Sequence, residues 1–168
     1  MGQVTVAVEH TFEAAHRLPF LGGKCTNVHG HTWRARIHFQ AYELPGGVDE
    51  NGISVDFSSV KKVIRQWIDR HLDHGMMIGG NDNLLTALTD DGCKTFIFGE
   101  APDGQEVDYL PKPWPTVESV AEAICLKLQD QFQGDLWIVA VELWEGNINS
   151  ATFTQVVPYN QNAEIING

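Results

Sequence analysis

The sequence predicts an α+β fold with the element order ββααββ, and three observations carry that expectation. Residues 4–12 alternate Val4, Val6, Val8, His10 and Phe12 against Thr5, Ala7, Glu9 and Thr11, the period of two that marks a strand with one buried face. Two long segments instead space their apolar residues three to four apart, the helical period. The C-terminal third returns to strand-like runs at 136–145 (LWIVAVELWE) and 151–157 (ATFTQVV), separated by a turn containing Gly146 and Asn147.

The elements between follow in order. After a loop with Pro19, Gly22 and Gly23, Trp33, Ala35, Ile37, Phe39 and Ala41 alternate with Thr32, Arg34, Arg36, His38 and Gln40, a second strand with one wet face. LPGG at 44–47 and Asn51-Gly52 mark turns. Asp56 is placed to cap a helix carrying Phe57, Val60, Ile64, Trp67 and Leu72 on one side, with Lys61, Lys62, Arg65 and Asp69 between them. A second helix begins at Pro115-Thr116, runs through Val117, Val120, Ile124, Leu128 and Phe132, and stops before Gly134. The chain of 168 residues reads as one domain, with an acidic insertion at about 80–113 and a loose polar tail at about 159–168. Within the insertion only Thr95 to Phe98 is a continuous apolar run.

Charge narrows the function classes. Eleven Lys and Arg against 22 Asp and Glu leave a net charge of −11, which excludes general binding to nucleic acid or to anionic membranes, since both need clustered cations. The insertion holds 2 lysines and 7 acids, 2 − 7 = −5, nearly half of that excess. The three cysteines, Cys25, Cys93 and Cys125, have no framework spacing, which points to a reducing compartment. The start MGQVTVAVEHTFE has neither a basic nor an apolar leader pattern, and no run of 18 apolar residues occurs, so a soluble cytoplasmic protein is expected.

All seven histidines lie in the first 74 residues, which directs the search for chemistry there. His29-Gly30-His31 puts two imidazoles on one face of a strand, able to grip one metal ion or simply solvated or hydrogen-bonded. His16 becomes the neighbour of both if the first two strands pair as a hairpin, and three histidines leave one or two positions for water or substrate, the arrangement of catalytic zinc sites. Cys25 reads either as a small buried hydrophobe or, beside Lys24 and a bound dication, as a thiolate base. Asp73-His74 closes the first helix, either as a residue pair suited to a helix C-terminus or as an acid/base pair whose carboxylate sets the imidazole tautomer. Thr116 is a good cap and Glu118 a first-turn acid, both explicable without function. Glu145, at the end of an apolar strand, is poorly placed for a carboxylate unless exposed or paired with a ligand.

Taken together, FEAAHRLP at 12–19, KCTNVHGH at 24–31, VDF at 55–57, LDH at 72–74, PTVES at 115–119 and WEGN at 144–147 resemble the superfamily of 6-pyruvoyl- and 6-carboxytetrahydropterin synthases. The resemblance implies a tunnelling fold: a four-stranded antiparallel sheet with two helices on one face, assembling as a homo-oligomer, trimer or hexamer, into a barrel with sites at subunit interfaces. It implies Zn2+ on His16, His29 and His31, catalytic roles for Cys25, Asp73 and His74, and pterin contacts from Thr116, Glu118 and Glu145. A carboxylate suits the last task because the pterin presents a guanidine-like donor edge.

Spacing within the motifs selects the reaction. Three residues separate Cys25 from His29-Gly30-His31, which resembles the carboxy-forming members, whereas pyruvoyl-forming members have five. Members that make 6-hydroxymethyl products carry Glu in place of the cysteine. The resemblance thus implies conversion of 7,8-dihydroneopterin triphosphate to 6-carboxy-5,6,7,8-tetrahydropterin, acetaldehyde and triphosphate, a step toward queuosine and other 7-deazaguanines. The alternatives are a 6-pyruvoyltetrahydropterin synthase and a zinc- or pterin-binding protein without chemistry; a zinc hydrolase ranks below both, for want of an H-E-x-x-H base. Two features depart from the pattern: the long 80–113 segment, and Gly146 where Thr is usual. Arg17, Lys24 and Lys61 are the candidate triphosphate contacts.

Overall fold

The computed structural model describes residues 3–156 except 43, 101–111, 133 and 135. The predicted tail and the most acidic part of the insertion lie outside the described residues. Six strands form one mixed sheet: β1 (Val6–His16), β2 (His29–Ala41), β3 (Gly75–Gly79), β4 (Thr95–Phe98), β5 (Leu136–Glu145) and β6 (Asn149–Thr154), in the spatial order β4-β3-β1-β2-β5-β6. The helices are α1 (Phe57–His71), α2 (Leu85–Asp90) and α3 (Val117–Gln129).

The four strands read from alternation, β1, β2, β5 and β6, pair antiparallel as expected. The expectation of a four-stranded sheet with two helices needs correction, because β3 and β4 extend it by two strands parallel to β1, and α2 is a third helix. The fifteen residues between β3 and β4 include α2, the length and element a parallel connection requires. The reason these were missed is burial on both faces. Met77 and Phe98 join the main core while Met76, Ile78 and Ile97 join a second cluster with Leu85 of α2, so β3 and β4 lack a polar alternation.

The main core forms where α1 and α3 pack on one face of the sheet, as the two-helix expectation required. Val60, Ile64, Trp67 and Ile68 of α1 and Val120, Ala121, Ile124 and Leu128 of α3 share one cluster with Phe12, Trp33, Ile37, Phe39, Val141 and Leu143. Asp56 caps α1 through the N–H groups of Ser58 and Ser59, and Thr116 caps α3 through that of Ser119. The end of α1 is closed by Lys94, whose ammonium donates to the carbonyl oxygens of Asp69 and Asp73 at 2.9 and 2.6 Å. Among the described residues, no helix is long and apolar enough to cross a membrane.

Candidate metal centre and active site

The β1–β2 register decides the histidine geometry. His16 lies directly opposite His29, and Ala14 opposite His31, so the three histidines occupy the loop end of one hairpin. One ligand atom from each lies within 4.8 Å of the others, and no cysteine or carboxylate joins this mutually close group among the described residues. The rings of His16 and His31 stand edge-on to Trp33, at 5.1 and 5.7 Å between centroids, which walls the cluster off from the core.

Two backbone carbonyls set the tautomers. His16 Nδ1–H donates to Pro115 O at 2.9 Å, and His29 Nδ1–H donates to Asn27 O at 2.8 Å. In the neutral rings each Nε2 then carries a lone pair, the form in which imidazole binds metal. Burial pushes the His16 imidazole below its ordinary pKa, against the opposing pull of the Pro115 carbonyl and the Glu145 carboxylate, which keeps the lone pair available at neutral pH. The Nε2 atoms of His16 and His31 are buried without a hydrogen bond. Buried polar nitrogens without partners are costly, and a cation held by the three rings would satisfy them, so the residues present fit a metal ion.

Glu145 reaches this centre from β5, where it is paired with Trp33. Its Oε1 is 3.2 Å from His16 Nε2 and 3.8 Å from His31 Nε2. Gly146 follows it with φ +66° and donates its N–H to Thr32 O at 3.2 Å, a turn conformation that disfavours a β-branched residue. The structure thus gives a local reason for Gly where Thr is usual.

Asp73 and His74 are held together and against β1. Asp73 Oδ2 accepts from His74 Nδ1–H at 2.7 Å, and its Oδ1 accepts from the Glu13 N–H at 2.9 Å, while the His74 N–H donates to Glu13 O at 2.6 Å. Burial opposes the Asp73 charge, but the Glu13 N–H, His74 and Lys94 outweigh it and hold the carboxyl below the usual range. His74 takes φ +54°, an uncommon conformation for a non-glycine residue and one that strained functional positions often show. Its ring is exposed and borders an open groove of about 500 Å³ together with Glu13, Gly30, His31, Thr32 and Gly75. This groove brings His31 of the histidine centre and His74 of the Asp73-His74 pair to one surface.

The remaining predicted site residues sit around it. Cys25 is half-buried on a short 3-10 turn, Gly23–Thr26, with its carbonyl accepting from the Leu18 N–H. Its sulfur is not within the histidine cluster. Thr116 follows Pro115, the residue bonded to His16, and Glu118 is exposed in the first turn of α3. Of the candidate triphosphate contacts, Arg17 is turned inward to buried Asp82, with Nε 3.3 Å from Oδ2, while Lys24 and Lys61 are exposed. Sequence reasoning missed Pro115, Asn27 and Glu13, which act through backbone groups that leave no side-chain signature.

The α+β fold carries three convergent histidines on a hairpin, able to hold a metal ion, beside a carboxylate and an Asp-His pair. The 6-pyruvoyl tetrahydropterin synthase family model matches residues 5–156, and the chain belongs to that family. Curated relatives include the 6-carboxy-5,6,7,8-tetrahydropterin synthase of Synechocystis, 37% identical over 55% of this chain and 70% of its own length. The probable 6-carboxy-5,6,7,8-tetrahydropterin synthase of Halobacterium salinarum is 30% identical over 79% of this chain and 74% of its own. Among solved structures, an uncharacterized protein of Wolinella succinogenes superposes with a TM-score of 0.65 at 21% identity, covering 91% of this chain and 98% of that one. The 6-pyruvoyl tetrahydropterin synthase of Caenorhabditis elegans gives 0.59 at 22%, covering 93% and 99%; at these identities the likeness concerns the fold.

Proposed function

We propose that this protein is a zinc-dependent 6-carboxy-5,6,7,8-tetrahydropterin synthase, converting 7,8-dihydroneopterin triphosphate to 6-carboxytetrahydropterin, acetaldehyde and triphosphate in the cytoplasm, on the route to queuosine and related 7-deazaguanines. The observation that carries the reading is the convergence of His16, His29 and His31, with the Nε2 atoms of His16 and His31 buried and without a hydrogen bond, in a chain of this family. The choice of the carboxy product is supported by the three-residue spacing from Cys25 to His29 and by the names of the curated relatives.

Zinc bound by the three histidines would supply Lewis acidity toward the side-chain hydroxyls of the substrate. The chain's own residues would do the rest. Cys25, as thiolate, would remove the carbon-bound proton beside the ring, and His74, oriented by Asp73, would move protons to the departing groups. Glu145 would accept from the donor edge of the pterin, with Thr116 and Glu118 on the same ring. Among the described residues, β4 and β6 are the edges of the sheet, and edge strands favour pairing with another copy, which supports a homo-oligomeric trimer or hexamer.

The test is Cys25→Ala. It should retain zinc at one equivalent and still bind pterin, yet lose acetaldehyde release by about 10²-fold or more. Undiminished acetaldehyde release would overturn the assignment.

A further inference from the structure

The acidic insertion reaches the Asp73-His74 pair through one side chain, Lys94. This residue immediately precedes β4, and its carbonyl oxygen accepts from the Met76 N–H at 2.9 Å, which fixes its backbone beside β3. Its stem runs back over Gly75, where a Cβ would stand 3.1 Å from Lys94 Cδ and 3.4 Å from Cγ. The ammonium then donates to Asp73 O at 2.6 Å and to Asp69 O at 2.9 Å. Asp73 O belongs to the same peptide unit as the His74 N–H, which donates to Glu13 O at 2.6 Å. One peptide plane is thus gripped at both ends, by a cation on its carbonyl and by β1 on its amide. That plane sets the φ of His74, which at +54° lies in the left-handed region that a residue with a Cβ adopts only at a cost. A hydrogen bond from a charged donor is stronger than one between neutral groups and offsets that cost.

We infer that Lys94 is a positioning residue for His74: it locks the Asp73-His74 peptide so that the His74 ring stays on Asp73 Oδ2 and borders the groove it shares with His31. The inference rests on the proton-transfer role proposed above for His74. With the Asp73 carbonyl released, the peptide rotates, His74 relaxes toward the right-handed region, and its ring leaves the carboxylate. Lys94 lies in the 80–113 segment, the longer of the two departures from the family pattern. That segment thereby supports the acid/base pair, and is more than an addition to the surface.

The experiment compares the zinc-loaded full chain with Lys94→Met, which keeps a stem over Gly75 and removes the donor, and with Lys94→Arg, which keeps donor and charge. Hydrogen exchange is followed by mass spectrometry on the peptide covering 69–76, and kcat and KM for 7,8-dihydroneopterin triphosphate are measured on the same preparations. Lys94→Met should exchange that peptide about 10-fold faster, with β2 and β5 as protected as before, and should lower kcat about 10-fold with KM and zinc content unchanged. Lys94→Arg should recover most of both losses. Lys62→Met, which removes the same charge from an exposed position on α1, should alter neither readout. Wild-type kcat in Lys94→Met, or an arginine variant as slow as the methionine one, would overturn the inference. A wild type that turns over no substrate overturns the proposed function instead, and exchange still decides the brace: unchanged protection of 69–76 in Lys94→Met overturns it.

Discussion

The Nδ1–H of His16 donates to the carbonyl oxygen of Pro115 across 2.9 Å, joining the metal-ligand strand to the residue that precedes the Thr116 cap of α3. This bond fixes the face that His16 offers to a metal and ties the PTVES segment to the same point. His29 is fixed likewise by Asn27 O. In the metal-free protein at neutral pH, nitrogen-15 NMR should therefore find the His16 ring neutral with its proton on Nδ1. A proton on Nε2 of His16 would contradict this arrangement.

The same joint predicts an unusual sensitivity at Gly79, the last residue of β3. A Cβ there would lie 2.7 Å from Pro113 O and from two ring carbons of Trp114, so Gly79→Ala must push the 113–115 segment away. We expect a loss of about 1–3 kcal/mol in stability, measured by urea unfolding, together with several-fold weaker zinc binding through displacement of Pro115. Gly30→Ala is the control, since its Cβ would meet only Ala14 O at 3.6 Å, and it should retain the fold and the metal.

His74 Nδ1–H and the Glu13 N–H each use one oxygen of the Asp73 carboxylate, and an amide in its place keeps only one acceptor and no charge. Asp73→Asn should lower kcat by about 10²-fold with zinc content unchanged, because the pair lies outside the histidine cluster. Steady-state kinetics and metal analysis on one preparation check both halves.

How much of this was legible beforehand depended on the kind of signal. The alternation of Val6, Val8, Phe12 and of Trp33 through Ala41 marked β1 and β2, and their pairing as a hairpin is what makes His16 a neighbour of His29 and His31. Strand β3 was not legible, because Gly75–Gly79 is apolar on both sides, with Met77 in one core and Met76 and Ile78 in the other. Its partner β4 showed only as a short apolar run for the same reason. Asp73 and His74 were visible as a pair, but their brace on Glu13 was not, since it uses the main chain of a residue sixty positions earlier. Arg17 looked like a free cation until Asp82, on the loop after β3, was placed against it.

Two of the three thiols, Cys93 and Cys125, should separate by reactivity. Cys125 is fully buried in α3, and burial together with the Glu122 charge pushes its thiol up to about 12, whereas Cys93 is exposed. Iodoacetamide at neutral pH should modify Cys93 readily and leave Cys125 untouched until the protein is unfolded, as peptide mass spectrometry will show. Labelling of Cys125 in the native protein would contradict the packing of α3.

Acid should weaken the cap of α1. The Ser59 hydroxyl, with the N–H groups of Ser58 and Ser59, holds the Asp56 carboxyl below its ordinary value of 3.8. A carboxyl depressed in the folded state stabilises above the unfolded value and loses that contribution as pH falls through the folded one. Asp56→Ala should therefore be less stable than the wild type at pH 7, with the gap in urea midpoint shrinking below about pH 4. A gap independent of pH would show that the charge of Asp56 contributes nothing.

The central claim concerns the reaction, and one incubation tests it most directly. The zinc-loaded protein is mixed with 7,8-dihydroneopterin triphosphate, and the pterin product is identified by mass spectrometry alongside an assay for acetaldehyde. The proposed function predicts 6-carboxy-5,6,7,8-tetrahydropterin with one equivalent of acetaldehyde; a 6-pyruvoyl product without acetaldehyde, or unchanged substrate, would contradict it.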